Sequence, residues 1–402
     1  MNTKYCIFTL IALCLFSCGG KSHQSKKLET ISINGNIRQT LNLSSFVDTI
    51  EFIPLETNEK NLIGKVNRII YKNGKYYLRT TQGMMNGKLS VFNKTGKYLW
   101  GLNRIGNGPG EYLELRDFSI DNSGNIIAFT YPKIINYDST GIFLFENKMD
   151  LFAFEFLKTN NDNFIVLHYG ALHYGNNLFD IINKQGNIKK SIFKLSELES
   201  LKSNFLQDWR SLSSFKSSIY FMYPYCDTIY SIDNKENIKR LYYIDYGSKK
   251  IPDGLIDKKD DVFSWEKKLF RFDDYLHASA IGITDNYIYV GSINKSFQAL
   301  FSLYSKRNQH VLTAHTLIDD MFLKGNKLTI TARNMPHEID GNDILWPLDP
   351  EYLINGYKHY MSYLSDAGRE EFRKKYPELV RICTTLKEDD NPVILRIKVK
   401  DF

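Results

Sequence analysis

Three glycines, Gly96, Gly141 and Gly186, stand 45 and 45 residues apart, each closing an Asn/Asp-x-x-Gly turn between two strand-like stretches. The surrounding segments are Val91 to Tyr98, Asn136 to Phe143 and Ile182 to Ile188, with degenerate copies at Ile232 to Ile238 and Leu303 to Asn308. A second unit, a turn followed by a Tyr- or Ile-rich strand, alternates with the first. It is clear at Tyr71 to Leu78, Ile120 to Ile127, Thr284 to Tyr289 and Leu323 to Leu328, and weaker at Asn161 to Val166 and Phe215 to Tyr220. Glycine and asparagine suit such turns because tight hairpins require positive φ. Two hairpins per period of about 40–50 residues is the arithmetic of a four-stranded propeller blade. Six copies of the second unit predict an all-β, six-bladed β-propeller. A β-sandwich or two small β domains would not explain equal spacing without a linker between copies.

Closure has its own signal. Val47 to Leu55 reads as a strand ahead of the first full blade, and Val393 to Val399 alternates at the chain's end after Pro392. Pairing the two within the last blade closes the ring and removes open sheet edges. The sequence holds 26 Tyr and 26 Phe, a composition that favours strands. One stretch departs from it. From about 350 to 386, Tyr352, Tyr357, Tyr360, Met361 and Leu364 recur at helical spacing, charged helix formers follow, and Pro377 breaks the run before a further helix. This helical insertion falls in the last blade and is expected to lie over one face of the ring, as a binding element or as a clip that seals it. Ser196 N-caps a shorter helical run to Lys202.

The amino terminus reads as an export signal. Lys4 precedes an apolar run from Ile7 to Phe16, too short to span a membrane, and Leu15-Phe16-Ser17-Cys18-Gly19 follows. That order resembles the bacterial lipobox. Residues 1–17 are the expected signal peptide, and Cys18 is the expected lipid (palmitate) attachment site. Residues 18–30 form a polar, flexible tether, and residues 31–402 the propeller. Removing the signal leaves about 385 residues and lowers the formal charge from +7 to +6, with no basic cluster of the kind nucleic acid requires. Of the five cysteines, Cys226 and Cys383 remain, either paired or as two separate buried thiols.

The stretch Arg104-Ile105-Gly106-Asn107-Gly108-Pro109-Gly110-Glu111-Tyr112 resembles the Gly-x-Gly-Pro-Gly-Glu-Tyr element of a family of six-bladed β-propeller lipoproteins from gut-type Gram-negative bacteria. Glu388 to Ile394 resembles that family's ending. The resemblance implies an NHL-repeat-like propeller held in the cell envelope, and no particular reaction. Gly106, Gly108, Pro109, Gly110 and Glu111 read as a blade-to-blade crossing, with Arg104 and Glu111 as a possible ion pair. The amides offer an anion cradle as the alternative, although the lysine and helix of a phosphate loop are missing.

No catalytic residue is identified. His168, His173 and His277, with His315 and His337, are the only candidates for a tunnel metal. No HExxH, paired cysteines, acidic calcium loop or Gly-x-Ser-x-Gly elbow is present, so no cofactor is expected. The run Tyr220 to Tyr225 and Trp209, Trp265 and Trp346 serve either as stacking faces or as blade packing. The expected function is a lipid-anchored binding platform at the outer membrane, periplasmic or surface-facing, for a peptide, glycan or envelope protein. The alternatives are an NHL-like metal-dependent lyase or hydrolase, and an accessory subunit of an outer-membrane uptake complex.

Overall fold

Ile126–Thr130, Phe164–His168 and Tyr287–Ile293 are buried at every position. A strand buried on both faces must lie between two packed layers. In the computed structural model these strands are the interiors of six sheets arranged radially, each packed against its two neighbours. The structure describes residues 28–402 except 36, 83–84, 150, 160–162, 169–170, 198, 200–209, 217, 224, 256–259, 262–263, 265–266, 269–274, 295, 297, 332–333 and 337, and omits the side chains of 82, 85–86, 171–172 and 340. Cys18, Trp209, Trp265 and His337 lie outside the described residues.

The amino-terminal segment supplies β1 (Glu29–Ser32), β2 (Ile37–Asn42) and β3 (Val47–Pro54). Blade one is β4 (Lys65–Lys72), β5 (Lys75–Gln82), β6 (Met85–Asn93) and β7 (Tyr98–Leu102). Blade two is β8 (Leu115–Ile120), β9 (Ile126–Thr130), β10 (Lys133–Tyr137) and β11 (Phe143–Lys148). Blade three is β12 (Ala153–Lys158), β13 (Phe164–His168), β14 (Asn177–Ile182) and β15 (Ile188–Lys194). Blade four is β16 (Leu212–Phe215), β17 (Ser218–Phe221), β18 (Thr228–Ile232) and β19 (Ile238–Asp245). Blade five is β20 (His277–Ile283), β21 (Tyr287–Ile293), β22 (Ala299–Ser305) and β23 (His310–Asp319), with β24 (Asn326–Thr329) added along the far end of β23. Blade six is β25 (Glu338–Asp340), β26 (Asp343–Leu348), β27 (Val393–Val399) and β3, whose antiparallel register sets Ile50 opposite Ile397 and Pro54 opposite Val393. The chain's two ends therefore share the last blade, and the ring closes as expected.

Two features depart from the expected pattern. β1 adds in parallel to β19 and β2 in parallel to β23, so the amino-terminal segment covers the outer edges of blades four and five before it completes blade six. Glu29 and Thr30 are thus strand residues, and the stretch assigned to the tether ends before them. The sixth turn unit, Leu323 to Leu328, belongs to the β23–β24 hairpin. Blade six turns instead at Gly341-Asn342, which Ile339 to Ile344 would have shown.

The insertion lies between β26 and β27 as α1 (Pro350–Tyr363), α2 (Asp366–Lys375) and α3 (Pro377–Thr385). Ser365 caps α2 by accepting the Gly368 amide proton, and Pro377 opens α3 at a position where its missing N–H costs nothing. Leu353, Met361, Phe372, Leu379 and Ile382 join one apolar core with Phe301, Leu317 and Trp346 of blades five and six. Trp346 is packing: it is buried and lies parallel to Phe301, ring centroids 6.2 Å apart. Phe221 likewise stacks on Tyr230 within the core of blades three and four. Cys226 and Cys383 are separate buried thiols, raised by burial to about 11 and about 12.

Candidate functional site

The first strand of each blade is innermost, and four of these strands carry an extra residue at the same place. The register slips between Val66 and Arg68, Leu115 and Asp117, Ala153 and Glu155, and Ala278 and Ala280. A bulge re-aims the side chain that follows it. In blades one to three that side chain is charged: Arg68, Asp117 and Glu155 are all buried. Blade five has Ser279 and Ala280 there, and the Ser279 hydroxyl donates to the Gly291 carbonyl at 3.0 Å.

These groups bond from blade to blade around the axis. Arg68 donates to the Asp117 carboxylate and the Phe118 carbonyl, and its guanidinium lies 5.2 Å from the centre of the Phe118 ring. Asp117 Oδ2 accepts the Phe156 amide of β12 at 3.0 Å. Glu155 accepts the Ser211 and Leu212 amides at 2.7 and 3.1 Å, tying blade three to the start of β16. Arg210, just ahead of β16, places Nε 3.1 Å from Glu338 Oε2. Blades four and six are not neighbours in the ring, so this pair reaches across blade five's sector. Two guanidinium groups and three carboxylates thus converge at one end of the axis.

The electrostatics follow from burial. Burial works against the charge on Arg68, and the like charge of Arg210 adds to it, so its pKa is lowered despite Asp117. Burial also opposes charge on Arg210, but Glu338, Asp117 and Glu155 together outweigh it and raise the pKa. Glu155 is pushed up to about 7 by burial, against the pull of Arg210 and the two amide donors. The cluster therefore has one carboxylate in excess, and Glu155 is the one whose proton is held near neutral pH. No spacing or motif in the sequence announced these five residues. Their signal was a charged residue in the first half of the first strand, repeated in blades one to three.

Gly106 to Gly110 form the crossing from β7 to β8. The Glu111 carboxylate accepts the Gly108 amide at 2.9 Å, and a Cβ on Gly106 would sit 2.1 Å from Glu111 Oε2. Gly110 has φ +70° and donates to Glu146, while its carbonyl accepts the Tyr137 hydroxyl at 2.7 Å. Pro109 follows Gly108, whose carbonyl accepts Lys133 Nζ at 3.0 Å. Arg104 donates to the Gly141 carbonyl and lies over the Tyr137 ring, so Arg104 and Glu111 hold different partners.

The DUF4934 pattern, described as a domain of unknown function, matches residues 28–398, nearly the whole described chain. The chain belongs to the DUF4934 family. Among solved structures, a Bacteroides fragilis protein named as exported is similar at 19% identity and TM-score 0.69, covering 92% of this chain and 100% of that one. A DUF4221 family member from Bacteroides vulgatus is similar at 10% identity and TM-score 0.51, covering 89% and 98%. Both likenesses concern the fold. No curated protein matches the chain.

In this DUF4934 chain the described candidate histidines do not converge. His168 Nε2 lies 3.0 Å from Asp180 within blade three, and its ring stacks on Tyr174 at 4.0 Å. Burial pushes Asp180 upward, but hydrogen bonds from His168 and Ser191 outweigh it and hold the carboxyl low. His277 is buried beside Tyr225, and desolvation lowers it to about 3. His173 is exposed in a 3-10 turn, and His315 Nδ1 is 3.0 Å from the Ala299 carbonyl. Among the described residues, no three His, Cys, Asp or Glu side chains come together to hold a metal ion. Nor is any described helix long and apolar enough to cross a membrane.

Proposed function

We propose that this DUF4934 chain is an exported, lipid-anchored binding platform of the cell envelope, and that it engages a polypeptide through the loops above the axial charge cluster. The connections that run from each outer strand to the next inner strand leave the blades at the same end as the loops between second and third strands. The helical insertion is one of these loops. One observation carries the reading: Leu62, Ile105, Leu113, Tyr131 and Tyr363, on such loops of blades six, one and two, are all exposed. Large apolar side chains gathered on the connections of a rigid repeat fold mark an interaction surface. Aliphatic residues dominate the set, which suits a peptide segment better than a sugar ring, whose partners are planar aromatics.

The lipid is assigned to Cys18 from the order Leu15-Phe16-Ser17-Cys18. A diacylated cysteine buries enough methylene groups for lasting attachment. The test of the binding face is photo-crosslinking in cells with a probe at position 105, on the same crossing loop as Leu113. The expected result is a discrete crosslinked partner, lost in Leu113→Ser/Tyr131→Ser/Tyr363→Ser chains that melt at the wild-type temperature. An unchanged crosslink pattern in that variant would remove the reading. Labelled palmitate incorporated by the wild type and not by Cys18→Ala checks the anchor separately.

A further inference from the structure

The two ends of the ring differ in charge, and the chain's path links that difference to the anchor. The hairpin turns between first and second strands, and those between third and fourth, all lie at the end opposite the crossing loops. Around the third-to-fourth turns of blades three and four, residues 183–190 and 233–240 hold six basic and two acidic side chains. Lys184, Lys189, Lys190, Lys235, Lys239 and Arg240 are exposed. Lys190 reaches Glu236 at 3.5 Å and Lys239 reaches Asp233 at 3.8 Å, which neutralises part of the set and ties the two turns together. At the other end, residues 349–392 of the helical insertion hold seven basic and nine acidic side chains.

The amino-terminal segment joins the ring at this basic sector. β1 is parallel to β19, with Glu29 opposite Tyr242 and Ser32 opposite Asp245. β19 leaves the 233–237 turn and runs toward the crossing loops, so β1 does too, and the residues before Glu29 come from the turn side of blade four. Only ten residues separate Cys18 from Glu29, a reach of at most about 35 Å, and they include Lys21, Lys26 and Lys27. A lipid on Cys18 would therefore bring the basic turns of blades three and four to the bilayer before any other part of the ring.

We infer that this sector is a membrane-docking surface for anionic glycerophospholipid. It would set the ring with its turns on the bilayer and its crossing loops, helices and axial cluster facing away. The inference rests on the anchoring proposed above. Lysine and arginine near an anionic leaflet attract it within a Debye length, so the lipid would hold the protein while the turns orient it.

The test uses the mature chain, residues 18–402, with Cys18→Ser, so that no lipid contributes and the outcome is independent of whether Cys18 is acylated. Cosedimentation is measured with vesicles of 30% phosphatidylglycerol in phosphatidylcholine and with vesicles of phosphatidylcholine alone. The expected result is binding to the anionic vesicles only, weakened by about tenfold or more in 0.5 M salt. Lys189→Gln/Lys190→Gln/Lys239→Gln/Arg240→Gln should weaken it similarly. Lys358→Gln/Arg373→Gln/Lys374→Gln/Lys375→Gln, which removes as many charges from the helices, should leave it unchanged. Thermal melts establish that both variants are folded. Equal binding to the two vesicle types, binding to neither, or equal loss in the two variants would overturn the inference.

Discussion

The rim and the axis of this ring both join one blade to the next, by opposite means. At the rim the outer strands of blades six, one and two run into a glycine turn of the following blade. A Cβ on Gly96 would lie 2.0 Å from the Pro54 carbonyl, on Gly141 2.9 Å from the Trp100 ring, and on Gly186 2.8 Å from the Lys148 carbonyl. Their φ values of +84°, +85° and +82° exclude a side chain for a second reason. At the axis the joints are buried charges that accept backbone amides or pair with each other. The rim joint of blades one to three needs the smallest residue, the same one each time. The axial joint needs only complementary charge, so blades one, two, three, four and six supply Arg68, Asp117, Glu155, Arg210 and Glu338.

The sharpest way to break this comparison is at the axis. Arg68→Met leaves Asp117 buried without the cation it bonds, which is expected to cost about 3–5 kcal/mol in a denaturant melt. Arg68→Lys keeps a charge beside Asp117 but loses the planar guanidinium over the Phe118 ring, so a smaller loss is expected. If Arg68→Met melts like the wild type, the axial charges do not hold blades together.

Glu155 gives the axis a pH dependence that reaches toward neutrality, whereas hydrogen bonds hold the rim carboxylates Asp138 and Asp233 below the usual carboxylate range. Its folded-state pKa of about 7 stands above the ordinary 4.5, so between those values the native state keeps a proton that the unfolded chain has lost. The contribution of this group is therefore greatest near pH 4.5, declines as pH rises to about 7, and is constant above that. The decline should be on the order of 3 kcal/mol. Glu155→Gln should remove it, and the difference between wild-type and variant stabilities across that window is the measurement. A difference that is flat with pH would place the Glu155 proton elsewhere.

The same contrast explains what the sequence revealed. Gly96, Gly141 and Gly186 were legible because crowding and positive φ permit one residue, and a fixed requirement repeats at a fixed spacing. Blade closure was legible because β3 and β27 are each apolar enough to read as strands alone. β1 and β2 were not, because their burial comes from an edge supplied by distant blades; three of the four β1 residues are partly or fully exposed. The sixth turn was misplaced because Leu323 to Leu328 carries the local chemistry of a hairpin and only the pairing with β23 shows which sheet owns it. The axial cluster was hidden because Arg68, Asp117, Glu155, Arg210 and Glu338 are complementary to one another rather than similar. Histidines attracted notice in their place because single residue types are easier to count than complementary sets.

At the rim, crowding and backbone strain can be separated. Gly96→Ala meets both and should cost about 2–3 kcal/mol. Gly325→Ala shares the strain, with φ +90°, but nothing lies within 4 Å of the new Cβ. It should cost only about 1 kcal/mol. Equal melting losses in the two variants would mean that close approach between blades is not what fixes glycine at position 96.

Blade four tests the rim rule from the other side, with the smallest effect. Its turn keeps the opening acid, since Asp233 Oδ1 accepts the Lys235 and Asn237 amides as Asp138 does for Thr140 and Ile142 in blade two. Yet Glu236 occupies the glycine position with φ +62°. The left-handed conformation costs a non-glycine residue about 1 kcal/mol, part of which Glu236 offsets through its exposed pair with Lys190. Glu236→Gly relieves the strain, loses that weak pair and gives the unfolded chain more freedom, so a net gain of about 0.5 kcal/mol is expected. Glu236→Gln keeps the strain and loses the pair, and should fall slightly below wild type. If Glu236→Gly is instead the less stable of the two, the Lys190 pair matters more to the joint between blades three and four than the backbone does, and that joint resembles the axis rather than the other rim turns.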